Sequence, residues 1–115
     1  VVANQIGVLP IMTEQELDAD YMRCVFRLDA DNPSLEGHFP GLPVLAGVVQ
    51  LHWAMLLAAK LGFSAEAFRS SPRVKFKMIA QPPLDMQYEI FKKSDGRFSY
   101  RLSSALGLHS EGSFS

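Results

Sequence analysis

Beyond residue 73, apolar side chains recur at every second position: Val74, Phe76, Met78 and Ala80, then Leu84, Met86, Tyr88 and Ile90, then Phe98, Tyr100 and Leu102, and finally residues 108–114. A β-strand sends successive side chains to opposite faces, so this period predicts four consecutive strands, each with one apolar face. Ser94-Asp95-Gly96 supplies Asp-Gly turn residues between the second and third, which makes them a hairpin. An earlier run, Met22, Cys24, Phe26 and Leu28, has the same period. It places the single cysteine on a buried strand face as an inert core thiol, and one cysteine leaves no internal disulfide. One-faced strands need a second layer to bury against. The chain offers one in residues 48–61, which are apolar nearly all round, lack an internal proline and close with Lys60 and Gly62. Pattern alone therefore predicts an α+β fold in which about five or six antiparallel strands wrap one long central helix. Residues 1–115 read as a single domain without linker or repeat.

Two other segments are less regular. Thr13-Glu14-Gln15-Glu16 has the Thr-x-x-Glu spacing of a capping box, which predicts a helix start in the acidic run 13–20. Residues 29–43 hold three prolines and two glycines with no period and read as an ordered loop. A lone domain of 115 residues buries only about two-thirds of its unfolded surface, and a helix apolar on more than one stripe needs more cover than one small sheet supplies. Both points predict a partner subunit. With 48% hydrophobic residues, 20% charged and a formal net charge of -1, nothing in the balance favours nucleic acid or an anionic membrane. The most apolar stretch, 44–63, is interrupted by Gly47, Gln50, His52 and Lys60, so no membrane span is expected, and the chain reads as soluble and cytoplasmic. No metal-ligand spacing and no glycine-rich phosphate loop is present, so no metal is expected.

The segment that carries chemistry is Gly37-His38-Phe39-Pro40-Gly41-Leu42-Pro43-Val44-Leu45-Ala46-Gly47-Val48. It sets an imidazole in a proline-fenced loop just ahead of a glycine that opens the helix, where backbone N–H groups lack intrahelical acceptors. A base with a pKa near neutrality suits removal of a proton α to a carbonyl, and the Gly47 N–H together with the helix N-terminus suits the oxygen that gains charge. The residues alone leave a second reading of His38, as a side chain that hydrogen-bonds the backbone and holds the turn. Arg69, Arg73, Lys75 and Lys77 form a basic cluster, the last three expected on the outward face of one strand. They suit an acidic carrier protein, and equally a solvated strand face. Trp53, with Met55, Leu56 and Leu57, suits either an acyl tunnel or plain packing, and His109 reads as a surface residue.

The run Gly37-His38-Phe39-Pro40, then Pro43-Val44-Leu45, then Gly47-Val48 closely resembles the signature of the bacterial 3-hydroxyacyl-[acyl-carrier-protein] dehydratases, which are hotdog-fold dimers. The resemblance implies a hotdog fold, His38 as catalytic base and Gly47 as backbone donor to the thioester oxygen. It also implies an acyl chain running along the helix at the dimer interface, beside Phe39, Pro40, Val48 and Trp53. No cofactor is implied, since the substrate itself carries phosphopantetheine on acyl carrier protein or coenzyme A. Two positions depart from the family pattern. Ala46 stands where the family usually has proline, and His52, fourteen residues after His38, stands where it has a glutamate or aspartate contributed to the neighbouring subunit's site. No carboxylate occurs between Val48 and Leu61 to replace it. His52 is then either the group that assists departure of the β-hydroxyl or a neutral packing residue. The departure suggests a diverged branch, such as the dehydratase-like proteins of aryl polyene and related lipid pathways. Three functions follow: a dehydratase of a 3-hydroxyacyl thioester; a hotdog thioesterase, for which Gln50 is the one amide on the helix; or a non-catalytic carrier-binding subunit of a heteromeric dehydratase. The assembly is expected to be a homodimer, with a higher oligomer or a heterodimer as the alternatives.

Overall fold

The computed structural model describes residues 9–29, 45–64 and 73–115. Among them, six strands form one antiparallel sheet: β1 (Met12–Leu17), β2 (Tyr21–Leu28), β3 (Arg73–Phe76), β4 (Leu84–Lys92), β5 (Phe98–Ser104) and β6 (Gly107–Phe114), in the spatial order β1-β2-β4-β5-β6-β3. The helix α1 (Gly47–Ala58) continues as a 3-10 turn, Ala59–Leu61, and stops at Gly62, whose φ of 103° only glycine adopts cheaply. The predicted α+β architecture, a sheet around one central helix, is the observed one.

The alternating pattern becomes a core because the strands pair in register. Phe26 lies opposite Met86, Tyr88 opposite Leu102, Tyr100 opposite Gly112 and Phe98 opposite Phe114, so the apolar sets of adjacent strands share one face. That face meets α1. Val49, Trp53, Ala54, Leu57 and Ala58 are all 1% exposed or less. Burying a large apolar side chain of this kind stabilises a fold by roughly 1.5–3 kcal/mol, and the aromatic series adds edge and stacking contacts. Trp53 meets Phe26 edge-on at 5.9 Å between ring centroids, and Phe26 stacks on Tyr88 at 5.7 Å. Cys24 is fully buried, as expected, and burial pushes its thiol pKa up despite the opposing field of Lys60. At the hairpin, Gly96 takes a φ of 85° and the Asp95 side chain accepts the Arg97 N–H at 3.0 Å.

Three expectations are corrected. The capping-box segment is the edge strand β1, not a helix: its backbone completes the free edge of β2, and Thr13 Oγ1 donates to Val25 O instead of capping a turn. β3 ends at Phe76, short of the predicted length, because the Lys77 and Met78 N–H groups both donate to His109 O and turn the chain away. Lys77 is therefore off the strand, and of the face expected to be buried Phe76 is 56% and Met78 39% exposed, while Ala80 is buried. His109 is fully buried, not a surface residue. Pairing of β5 with β6 shifts register between Leu102 and Ser103, so the strict alternation fails there and His109 and Ser110 are both inside. The imidazole joins Ser104 Oγ at 2.6 Å and Ile79 O at 3.1 Å, which ties the β5–β6 turn to the chain leaving β3.

Candidate active site

The N-terminus of α1 is built to leave donors free. Leu45 is anchored twice: its N–H donates to Ala80 O at 2.8 Å, and its carbonyl accepts from Gln50 Nε2 at 2.9 Å. Ala46 follows in extended conformation as the N-cap, and its carbonyl accepts the N–H groups of Val49 and Gln50. Alanine has no oxygen with which to cap the turn, and no acidic residue occupies it. The N–H groups of Gly47 and Val48 are thus without an acceptor among the described residues, at the positive end of the helix dipole.

Glycine at position 47 is explained by a neighbour that the sequence does not announce. A Cβ there would come within 2.7 Å of Phe76 Cε1 and Cζ, so the ring of Phe76 lies directly against the opening turn of α1. Phe76 is more than half exposed, so the ring is a movable cover and not a core group.

Further along, α1 has two unlike faces. Val49, Gln50, Trp53, Ala54, Leu57 and Ala58 face the sheet. Val48, Leu51, His52, Met55 and Leu56 form the opposite stripe, spaced as helix neighbours are. That stripe is apolar apart from His52, yet Val48 is 66% exposed and Leu56 37%. His52 is half-buried on it and makes no hydrogen bond among the described residues. Beneath, the Trp53 indole N–H and Gln50 Oε1 are buried without a partner among the described residues. A buried unpaired polar group costs about 1–3 kcal/mol, which marks both as atoms awaiting a partner. Tyr88, a group that no sequence motif marks, donates its hydroxyl to Gln50 O at 2.7 Å, and burial raises its pKa well above the ordinary phenol value. It therefore remains a protonated donor and fixes the helix to β4.

Of the candidate site residues, Gly47, Val48, His52 and Trp53 stand on the first turns of α1: Gly47 and Val48 at its open end, His52 on the uncovered stripe and Trp53 in the core. Arg73 and Lys75 are exposed on β3. His38, Phe39, Pro40 and Arg69 lie outside the described residues. Among the described residues no group of three His, Cys, Asp or Glu side chains is placed to hold a metal ion, and no helix is long and apolar enough to cross a membrane.

The family model for ApeI-like proteins, described as ApeI dehydratase, matches residues 13–113. A comparison with curated proteins gave no match. Among solved structures, the chain is similar to the dehydratase heterocomplex ApeI:P from Xenorhabdus doucetiae, with 27% identity, a TM-score of 0.80 and coverage of 93% of this chain and 96% of that one. The dehydratase domain from the CurF module of curacin polyketide synthase superposes with a TM-score of 0.68 at 17% identity, over 93% of this chain and 42% of that one. Thioesterase superfamily member 2 from Mus musculus has the same TM-score, 0.68, at 10% identity, over 90% and 77%. The last two likenesses speak to the shared hotdog fold alone.

Proposed function

The chain belongs to the ApeI-like dehydratase family, and from that premise we propose that it removes water from a 3-hydroxyacyl thioester to give the trans-2-enoyl thioester. The observation that supports this most is the uncapped start of α1, where the Gly47 and Val48 amides have no acceptor among the described residues and His52 follows on a helix without a carboxylate. In the proposed mechanism the thioester oxygen accepts from those amides, so that charge gathering there as the α-proton leaves meets fixed dipoles. His38 takes the α-proton. The electron pair of the C–H bond becomes the C=C bond, the β-carbon to oxygen bond breaks, and the hydroxyl takes a proton from His52 and leaves as water. His38 then releases its proton to solvent and His52 regains one, so the cycle closes without a cofactor. Phe39, Pro40, Val48 and Trp53 border the acyl group in this reading.

Hydrolysis is the weaker alternative. The Gln50 amide, which would have to hold the attacking water, is 3% exposed and commits its NH2 group to Leu45 O. A second reading has a specific support: the Xenorhabdus relative is a heterocomplex, and the stripe of Val48, Leu51, His52, Met55 and Leu56, apolar apart from His52, leaves Val48 and Leu56 exposed in one protomer. The partner that covers it is then either a second copy or a different hotdog subunit.

The test is turnover of a 3-hydroxyacyl pantetheine thioester, followed by the ultraviolet absorbance of the enoyl product. His38→Ala should fold and lower the rate by roughly 10²- to 10⁴-fold. A variant with near wild-type rates would remove His38 from the chemistry.

A further inference from the structure

His109 is fully buried and has no part in the proposed chemistry, yet both of its ring nitrogens are engaged. Ile79 O can only accept, so Nδ1 carries the proton and donates to it at 3.1 Å. In the neutral ring Nε2 is then the acceptor, and the Ser104 hydroxyl donates to it at 2.6 Å. Ser104 Oγ in turn accepts the Leu106 N–H at 3.1 Å, which fixes the β5–β6 turn to the same hydroxyl.

What the imidazole holds is the stretch 77–80, which belongs to no strand and so has no ladder of its own. Among the described residues, it makes four hydrogen bonds to the rest of the chain. The Lys77 and Met78 N–H groups donate to His109 O at 2.9 and 3.2 Å, Ile79 O accepts from the His109 ring, and Ala80 O accepts from the Leu45 N–H at 2.8 Å. The first three all end on His109. The fourth anchors the residue that precedes the N-cap of α1. At its other end the stretch follows directly on Phe76, whose ring lies against Gly47. Two of the contacts that locate the Gly47 and Val48 amides, Ala80 O on Leu45 and the Phe76 ring on Gly47, therefore come from the two ends of a segment whose middle is held by His109.

The structure assigns His109 the role of a positioning residue for the start of α1: through residues 77–80 it sets where the Gly47 and Val48 amides stand, without touching the substrate. This deepens the dehydratase reading and rests on it for the reaction affected, though not for the positioning itself. The bond that matters is the one from Nδ1 to Ile79 O. Any residue at position 109 offers the carbonyl that Lys77 and Met78 use, whereas the donor to Ile79 O needs an imidazole or its equivalent. The amides receive charge only as the α-proton leaves, and a displacement of about 1 Å at such donors can cost up to about 10²-fold in rate.

The test compares His109→Asn with His109→Gln. The Asn amide stands near the position of Nδ1 and keeps a donor for Ile79 O, while the longer Gln amide stands near Nε2 and keeps the Ser104 contact but not Ile79 O. Both variants lose the ring, so the difference between them isolates the one bond. Phe98→Leu, in the cluster of Phe63, Phe98 and Phe114 beyond the far end of α1, controls for destabilisation alone. Rates are measured on the pantetheine thioester, well below each melting transition. In His109→Gln kcat should fall about tenfold or more with KM within about twofold, and in His109→Asn and Phe98→Leu kcat should stay within about threefold of wild type. In proton–nitrogen correlation spectra the Gly47 and Val48 amide resonances should move in His109→Gln and keep their wild-type positions in His109→Asn. Should His109→Gln not fold, His109→Phe, which loses both ring contacts, takes its place. Equal rates or equal amide shifts in the Asn and Gln variants, or a loss in Phe98→Leu as large as in His109→Gln, would overturn the assignment. If wild-type protein dehydrates nothing, the dehydratase reading fails and the amide resonances alone decide the role of His109.

Discussion

At the residue scale, His52 carries the largest departure from the family pattern, and its surroundings explain how an imidazole can stand there. It is half-buried on the uncovered stripe of α1 and makes no hydrogen bond among the described residues, so it is available to a ligand. If it assists departure of the hydroxyl, His52→Glu should keep or raise the dehydration rate, because a carboxyl group in a poorly solvated site is held toward its protonated, donating form. His52→Phe keeps the bulk without the donor and should lower kcat sharply while KM stays nearly constant. Equal rates in the two variants would make His52 a packing residue. Gly47 gives a second test. Gly47→Ala gains helix propensity worth about 0.5–1 kcal/mol but drives the new methyl into the Phe76 ring. Since that ring is exposed and can rotate, stability by thermal melting should change by less than about 1 kcal/mol. Turnover should fall roughly 10²-fold as the ring is pushed across the start of α1. A Gly47→Ala variant as active as wild type would show that this turn does not hold the reacting group.

At the element scale, the periods were legible and the boundaries were not. The apolar alternation of β2, β4 and β5 and the run of α1 from Gly47 to the Gly62 stop could be read directly, because each buries a continuous face. β1 could not be read, since a strand whose residues are nearly all exposed has no apolar period, and its Thr-x-x-Glu motif fits a helix equally well. His109 was misread because a register shift in the β5–β6 pairing breaks the alternation, and such a shift leaves no local mark in sequence. The open end of α1 was legible through Gly47, whereas its cover, Phe76, comes from a strand 29 positions away that only the fold brings near. The misread histidine gives its own prediction. His109→Phe preserves shape but abandons Ser104 Oγ and Ile79 O, and should cost about 1–3 kcal/mol in chemical denaturation. Unchanged stability would mean that these two hydrogen bonds do not hold the β5–β6 turn to the chain after β3.

At the scale of the whole molecule, the protomer exposes apolar side chains along α1, Val48 and Leu56, and at its opening turn, Phe76. A partner subunit there would bury the stripe and enclose His52 along with it, which joins assembly to chemistry. Sedimentation at micromolar concentration should therefore give a species of twice 12.8 kDa, or a heteromer when a second hotdog subunit is supplied. A single 12.8 kDa species under both conditions would contradict that arrangement. The fate of the thioester distinguishes a dehydratase from a thioesterase and from a binding subunit. Incubation of the protein with a 3-hydroxyacyl thioester of acyl carrier protein, followed by mass spectrometry of the intact carrier, reads that fate without a coupled assay. Loss of one water from the acyl carrier is the predicted result; loss of the whole acyl group, or an unchanged mass with and without a second subunit, would contradict it.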